Sequence, residues 1–113
     1  MEKANSMMND DNCWYALHTA PRLERNLLRQ LNAAGYATYS PMQTIYVKWN
    51  GVTKEVIIPL FPGCVFVKGD SEAIHTTISS QKAAFLVDGN GNNLSFAVDK
   101  MVLTDCFSQL LKG

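Results

Sequence analysis

Asn50-Gly51 separates two strand-forming runs, and no other dipeptide in the chain constrains the fold as much. A two-residue hairpin turn needs positive φ at both central positions, which Asn and Gly tolerate better than other residues. The run before it, YATYSPMQTIYVKWNG (36–51), alternates apolar and polar side chains, and EVIIP (55–59) answers as the return strand. A β-hairpin is therefore predicted. Pro41 interrupts the first run, and a proline donates nothing to a strand ladder, so that strand is expected to be bent or to lie at an edge.

The other elements follow from periodicity and punctuation. CWYALHT (13–19) is nearly continuous in apolar character from Trp14 to Leu17, as in a central strand. In PRLERNLLRQLNAAG, Leu23, Leu27 and Leu31 recur every four residues with Leu28 beside them, which predicts a helix. Thr19 is placed to cap it, Pro21 suits its first turn, and Gly35 stops it. GCVFVKG (63–69) reads as a strand. Asp70-Ser71 caps a short helix, SEAIHTTIS, whose Ile74 and Ile78 face inward. AAFLVDG (83–89) is a further strand and GNGNN a loop. AVDKMVLTDCFSQLLK (97–112) makes a final helix with Val98, Met101, Val102, Cys106, Phe107, Leu110 and Leu111 on one broad stripe.

The order β-α-β-β-β-α-β-α predicts an α+β fold: an antiparallel sheet of split βαβ, ferredoxin-like topology with an inserted hairpin and helices packed on one face. A chain of 113 residues suits one domain. Residues 13–112 are assigned to it, after a loose polar lead-in over 1–12.

Composition narrows the function. No apolar run approaches the roughly 18 residues that span a bilayer, and MEKANSMMNDDN has no hydrophobic segment of a secretory signal. Cys13, Cys64 and Cys106 are scattered, without C-x-x-C spacing, as expected for reduced thiols in a cytoplasmic protein. Ten basic and ten acidic residues cancel, which argues against a freestanding nucleic-acid binder and leaves room for a local basic patch. His18 and His75 fall in different elements, with no carboxylate pair, nucleophile motif or phosphate loop beside them, so neither catalysis nor a metal or cofactor is expected.

Three features point to binding. Arg22, Arg25 and Arg29 fall within about 60° on a helical wheel, opposite the leucines, as a small cationic stripe. Thr76 and Thr77 are costly in a short helix and point outward if Ile74 and Ile78 point in. IPLFPGCVFV (58–67) sets Phe61 in a Pro-Gly turn, where a ring is either a lid on the core or half of a contact with a partner. GCVFV also superficially matches the aromatic strand of an RNA-recognition module. Pro62 and Cys64 stand where that motif wants a cation and an exposed ring. An RNA-binding module and a small regulatory or oligomerising domain remain alternatives on these residues alone.

Trp14-Tyr15, Phe61-Pro62-Gly63-Cys64 and the FLVDGN strand, in this order over roughly residues 13–111, resemble the N-terminal (NGN) domain of the NusG transcription factors. EVIIPLFPGCVFVKGDSEAIHTT resembles its specialised RfaH-like, or UpxY-like, bacterial antitermination branch. The resemblance implies a domain that binds the β′ clamp helices of RNA polymerase in a hydrophobic depression, with Tyr15, Phe61, Pro62, Gly63 and Phe66 as clamp-binding residues. It places His75, Thr76 and Thr77 against the gate loop of the β subunit, and turns the helix with Arg22, Arg25 and Arg29 toward the non-template DNA strand. No membrane or small-molecule substrate is implied. Cys64 replaces the usual tyrosine, and Gln30, Ala33 and Ala34 stand where RfaH carries DNA-reading side chains, so no recruitment sequence is carried over. Family members continue into a KOW domain and this sequence stops at Gly113, so the expectation is either an N-terminal domain of a longer protein, which the stop just after the final helix favours, or a minimal factor that acts on polymerase alone.

Overall fold

A computed structural model describes residues 13–112; the lead-in assigned to 1–12 lies outside them. In chain order the elements are β1 (Trp14–Thr19), α1 (Glu24–Ala33), β2 (Ala37–Tyr39), β3 (Met42–Trp49), β4 (Val52–Pro59), β5 (Cys64–Lys68), α2 (Ser71–Ile78), β6 (Ala83–Phe85), β7 (Ser95–Phe96) and α3 (Lys100–Lys112).

The main sheet runs β2-β5-β1-β6, with β7 also paired to β1. Every pairing is antiparallel, and β1 meets β5 from Trp14 opposite Lys68 to His18 opposite Cys64. β5 therefore lies between the parallel strands of the β1-α1-β2 unit, and β1 between those of β5-α2-β6. These are two interlocked split βαβ units, as the element order predicts. Crossovers of one hand put both helices on the same face. There Leu27 and Leu31 of α1 and Ile74 and Ile78 of α2 pack on Tyr15, Leu17, Val65 and Val67.

The third helix departs from the one-face expectation. α3 covers the opposite face, where Leu103 and Phe107 pack with Trp14, Ala16, Cys64 and Phe66. Side chains alternate across a strand, and here both sets on β1 and β5 are apolar, so each face needs a cover. The stripe on α3 is also narrower than its sequence implies. Leu103 and Phe107 are buried one turn apart, while Met101, Val102, Leu110 and Leu111 are exposed.

β3 and β4 form a separate two-stranded ribbon, in register from Met42 opposite Pro59 to Trp49 opposite Val52. Asn50 and Gly51 both take positive φ at its turn, as a primed hairpin turn requires. The stretch expected as one bent strand is thus two strands in two sheets, parted at Pro41. AAFLVDG likewise forms a continuous strand only over Ala83–Phe85, with an isolated antiparallel bridge from Val87 to Asn93 after it. Beyond it Asp88 Oδ1 accepts the N–H groups of Asn90 and Asn92 at 2.8 and 3.0 Å, folding the glycine loop back toward β7.

Helix α1 also begins later than expected. Thr19 is the last residue of β1: its N–H donates to the Gly63 carbonyl at 2.8 Å and its hydroxyl to the Lys82 carbonyl at 2.9 Å, so it caps no helix. Leu23 holds the N-cap position and offers no side-chain cap. At the other end Gly35 takes φ +94° just past the helix, as a C-terminal stop does. In α2 the expected cap is present, Asp70 Oδ2 accepting the Ala73 N–H at 3.0 Å.

Candidate functional site

The turn that joins the ribbon to β5 follows from its sequence. Pro62 and Gly63 occupy the two central positions of a four-residue turn closed by Cys64 N–H donating to the Phe61 carbonyl at 3.0 Å. Proline presets the first φ, and only glycine takes the second, +78°, without strain. The turn is also pinned from outside. Gly63 N–H donates to Glu24 Oε2 at 2.7 Å, and the Gly63 carbonyl accepts from Thr19.

Phe61 answers the question its sequence poses. Its ring meets Phe107 edge to face at 4.9 Å between centroids, and Phe66 at 6.4 Å. It is half-buried, one side capping the aromatic layer under α3 and the rest open beside an exposed Pro62. Phe66, Phe96 and Tyr39 extend that layer inward, and Tyr39 shares a 3.2 Å hydrogen bond with the Thr104 hydroxyl.

The residues assigned to clamp binding are not all neighbours. Phe61, Pro62 and Gly63 form the turn, with Phe66 fully buried directly beneath as its support. Tyr15 points to the other face of the sheet, into the α1 and α2 layer against Phe85. Cys64 is buried among Trp14, Ala16 and Phe66, and that burial pushes its thiol up to about 12. Trp14 and Phe66 are covered by α3, so this sheet face presents no aromatic platform of the RNA-recognition kind.

On α2, His75 and Thr76 are exposed and Thr77 is half-buried. Both threonine hydroxyls donate back to the helix, Thr76 to the Glu72 carbonyl at 3.1 Å and Thr77 to the Ala73 carbonyl at 3.0 Å. This back-bonding is how a threonine is tolerated mid-helix, and it leaves each oxygen with spare acceptor capacity. The His75 ring lies parallel to Phe85, 6.4 Å away. Both border a shallow cleft of about 480 Å³ with Ser71, Glu72, Thr76 and Asn93.

The arginines remain together, though not all on one helix. Arg25 and Arg29 flank a shallow groove with Leu28, Asn32 and Ala33. Arg22 precedes the helix, in a left-handed conformation of φ +83°, and shares with Arg25 a cleft of about 350 Å³ against Met42, Ile57 and Pro59 at the ribbon's root. All three are exposed.

Two features escaped the reading of the sequence. Glu24 looks like an ordinary first-turn acid, and only the fold brings it to Gly63. The ribbon exposes Tyr46, Trp49, Val52 and Ile57, a signal that was visible as apolar side chains on both registers of the two strands. Among the described residues no group of three or more His, Cys, Asp or Glu is placed to hold a metal ion, and no helix is long and apolar enough to cross a membrane.

A family model described as "Transcription termination factor nusG" matches residues 12–102, from just before β1 into the first turn of α3. No curated protein matches the chain.

Proposed function

The chain belongs to the NusG family of transcription factors, and from that premise we propose that residues 13–112 are its polymerase-binding domain, acting as an RfaH-like antitermination factor that suppresses pausing. In this reading the Phe61-Pro62-Gly63 turn docks on the β′ clamp helices and α2 meets the β gate loop. The protein bridges the two without catalysing anything itself.

One observation carries the reading: a large ring held half-open on a rigid turn. Phe61 spends one side on Phe107 and leaves the rest beside Pro62, and the turn beneath it is fixed by three hydrogen bonds. A pre-organised aromatic of this kind loses little entropy on docking, which is what makes such residues anchors of protein interfaces. A pair of helices laid against it is a helix-in-groove arrangement. Phe66 and Cys64 support the floor from within, and Tyr15 acts only through the sheet.

The remaining assignments have lesser parts. His75 and Thr76 offer a ring edge and an acceptor oxygen on an exposed helix face, suited to a loop that brings N–H donors. Arg22, Arg25 and Arg29 would add phosphate contacts to the non-template strand once polymerase holds the DNA nearby, each worth about one unit of salt slope. Zero formal net charge fits that division, since protein contacts supply the affinity.

Calorimetry with an isolated β′ clamp-helix fragment tests this. Saturable binding that Phe61→Ala weakens tenfold or more, about 1.4 kcal/mol, is the expected result. A well-folded domain that ignores the fragment would overturn the polymerase assignment.

A further inference from the structure

Glu24 is buried, only 8% exposed, at the first position of α1. A buried carboxylate is costly unless paired or hydrogen-bonded. Its two oxygens are divided between two segments of chain: Oε1 accepts the Arg22 N–H at 2.8 Å, and Oε2 accepts the Gly63 N–H at 2.7 Å. Hydrogen bonds from N–H groups to a carboxylate are charge-assisted and roughly twice as strong as neutral ones.

Both donors sit where the backbone needs holding. Arg22 has φ +83°, an uncommon conformation for a residue with a side chain, and such conformations persist only where the surroundings over-determine them. Gly63 has φ +78° and is the hinge of the Phe61 turn. Arg22 and Arg25 are the other charged residues lining the cleft beside Glu24. Neither guanidinium makes an ion pair among the described residues, so no side-chain cation competes with the backbone N–H groups for the carboxylate.

We propose that Glu24 is a positioning residue that sets two surfaces at once, fixing the Phe61-Pro62-Gly63 turn in its partner-ready geometry and Arg22 at the head of the cationic stripe. One rigid carboxylate makes the two surfaces a single mechanical unit. A displacement of the turn by a bound helix pulls on Gly63 N–H, then on Glu24, and so on the backbone that orients Arg22. The docking half of this inference rests on the clamp-helix reading above; the bridging half stands without it.

The test uses the full chain, with Glu24→Gln and, as a control for lost stability alone, Leu27→Val beneath the same helix. Glutamine keeps one acceptor but turns an NH2 group toward the second N–H donor. Amide hydrogen exchange at Gly63 and Arg22 should quicken together at least tenfold in Glu24→Gln and stay protected relative to neighbouring amides in Leu27→Val. Affinity for the clamp-helix fragment should fall at least tenfold in Glu24→Gln and hold in Leu27→Val. Unchanged exchange at either amide, or full affinity in a folded Glu24→Gln protein, overturns the proposal. Should Glu24→Gln not fold, the wild-type amide shifts decide. Gly63 and Arg22 must titrate with one common midpoint, and separate midpoints refute a shared carboxylate. If wild-type protein ignores the fragment, the clamp reading falls, while exchange and titration still judge the bridge.

Discussion

Gly51 and Gly63 share a φ of +78° but not their surroundings, and substituting each with alanine separates backbone strain from crowding. A Cβ added at Gly51 meets nothing within 4 Å, so Gly51→Ala should cost only the left-handed penalty, about 1 kcal/mol. A Cβ at Gly63 lies 2.7 Å from the Thr19 carbonyl oxygen, which is backbone in the central strand and cannot swing aside. The turn has to move instead, and its bonds go with it. Losing the charge-assisted bond to Glu24 costs about 1.5–3 kcal/mol, and the neutral bond from Thr19 about 0.5–1.5 kcal/mol. With partial relaxation, Gly63→Ala should destabilise by about 3–4 kcal/mol, a large share of the roughly 5–15 kcal/mol that holds a domain together. Urea denaturation followed by tryptophan fluorescence and far-ultraviolet circular dichroism would measure both variants against wild type. If the two variants lose equal stability, the close approach at Gly63 is not what fixes the turn, and the argument for a rigid docking site fails.

Phe61→Ala removes the contact with Phe107 but only half-buries a cavity, so a stability loss of about 2 kcal/mol is expected, below that of a fully buried phenylalanine; a loss under about 0.5 kcal/mol by the same denaturation would mean that the ring is no lid. Thr76→Ala with Thr77→Ala should leave stability unchanged or raise it by a few tenths of a kcal/mol, because alanine favours the helix. The same pair should reduce pause suppression in a transcription assay, and undiminished suppression would sink the gate-loop assignment. Cys64, with its thiol pushed up to about 12 by burial, should resist alkylation at pH 8 while the half-buried Cys13 and Cys106 react, as mass spectrometry would reveal; equal labelling at all three would contradict the packing under α3. For Glu24, burial pushes the carboxyl up, but the bonds it accepts from the N–H groups of Gly63, Glu24 itself and Arg22 outweigh that and hold it below the ordinary carboxylate range. A depressed carboxylate stabilises the fold above its unfolded pKa and loses that contribution as pH falls through the folded value. Acid titration of stability should therefore show a loss, as pH falls below the ordinary carboxylate range, that Glu24→Gln lacks; identical acid limbs would refute it.

Much of the architecture was written locally. The hairpin at Asn50-Gly51, the Asp70 cap and the stop at Gly35 each need only a few adjacent residues, and each stands where its residues imply. Boundaries set by distant partners were less legible. Thr19 suits a helix cap by type, but its N–H is claimed by Gly63, more than forty residues away, and β1 runs through it. The arginine wheel assumed a helix from Arg22, whereas Pro21 and a left-handed Arg22 delay the start of α1 to Glu24. Tyr15 and Phe66 both read as apolar ring positions near the turn; the antiparallel register, with Tyr15 opposite Val67 and Ala16 opposite Phe66, sends them to opposite faces.

The sequence by itself determined the element types, the single hairpin, the interlocked order of helices and strands, and the presence of a turn that must contain Pro62 and Gly63. These rest on propensity, periodicity and chirality, which act over a few residues or over the order of elements. Tertiary structure alone decided that α3 covers the second face, that Phe61 is held half-open against Phe107, and that Glu24 joins the turn to Arg22. A backbone N–H carries no mark in the sequence of which carboxylate will accept it, because that choice depends on where two segments 39 residues apart are brought together by the packing of everything between them.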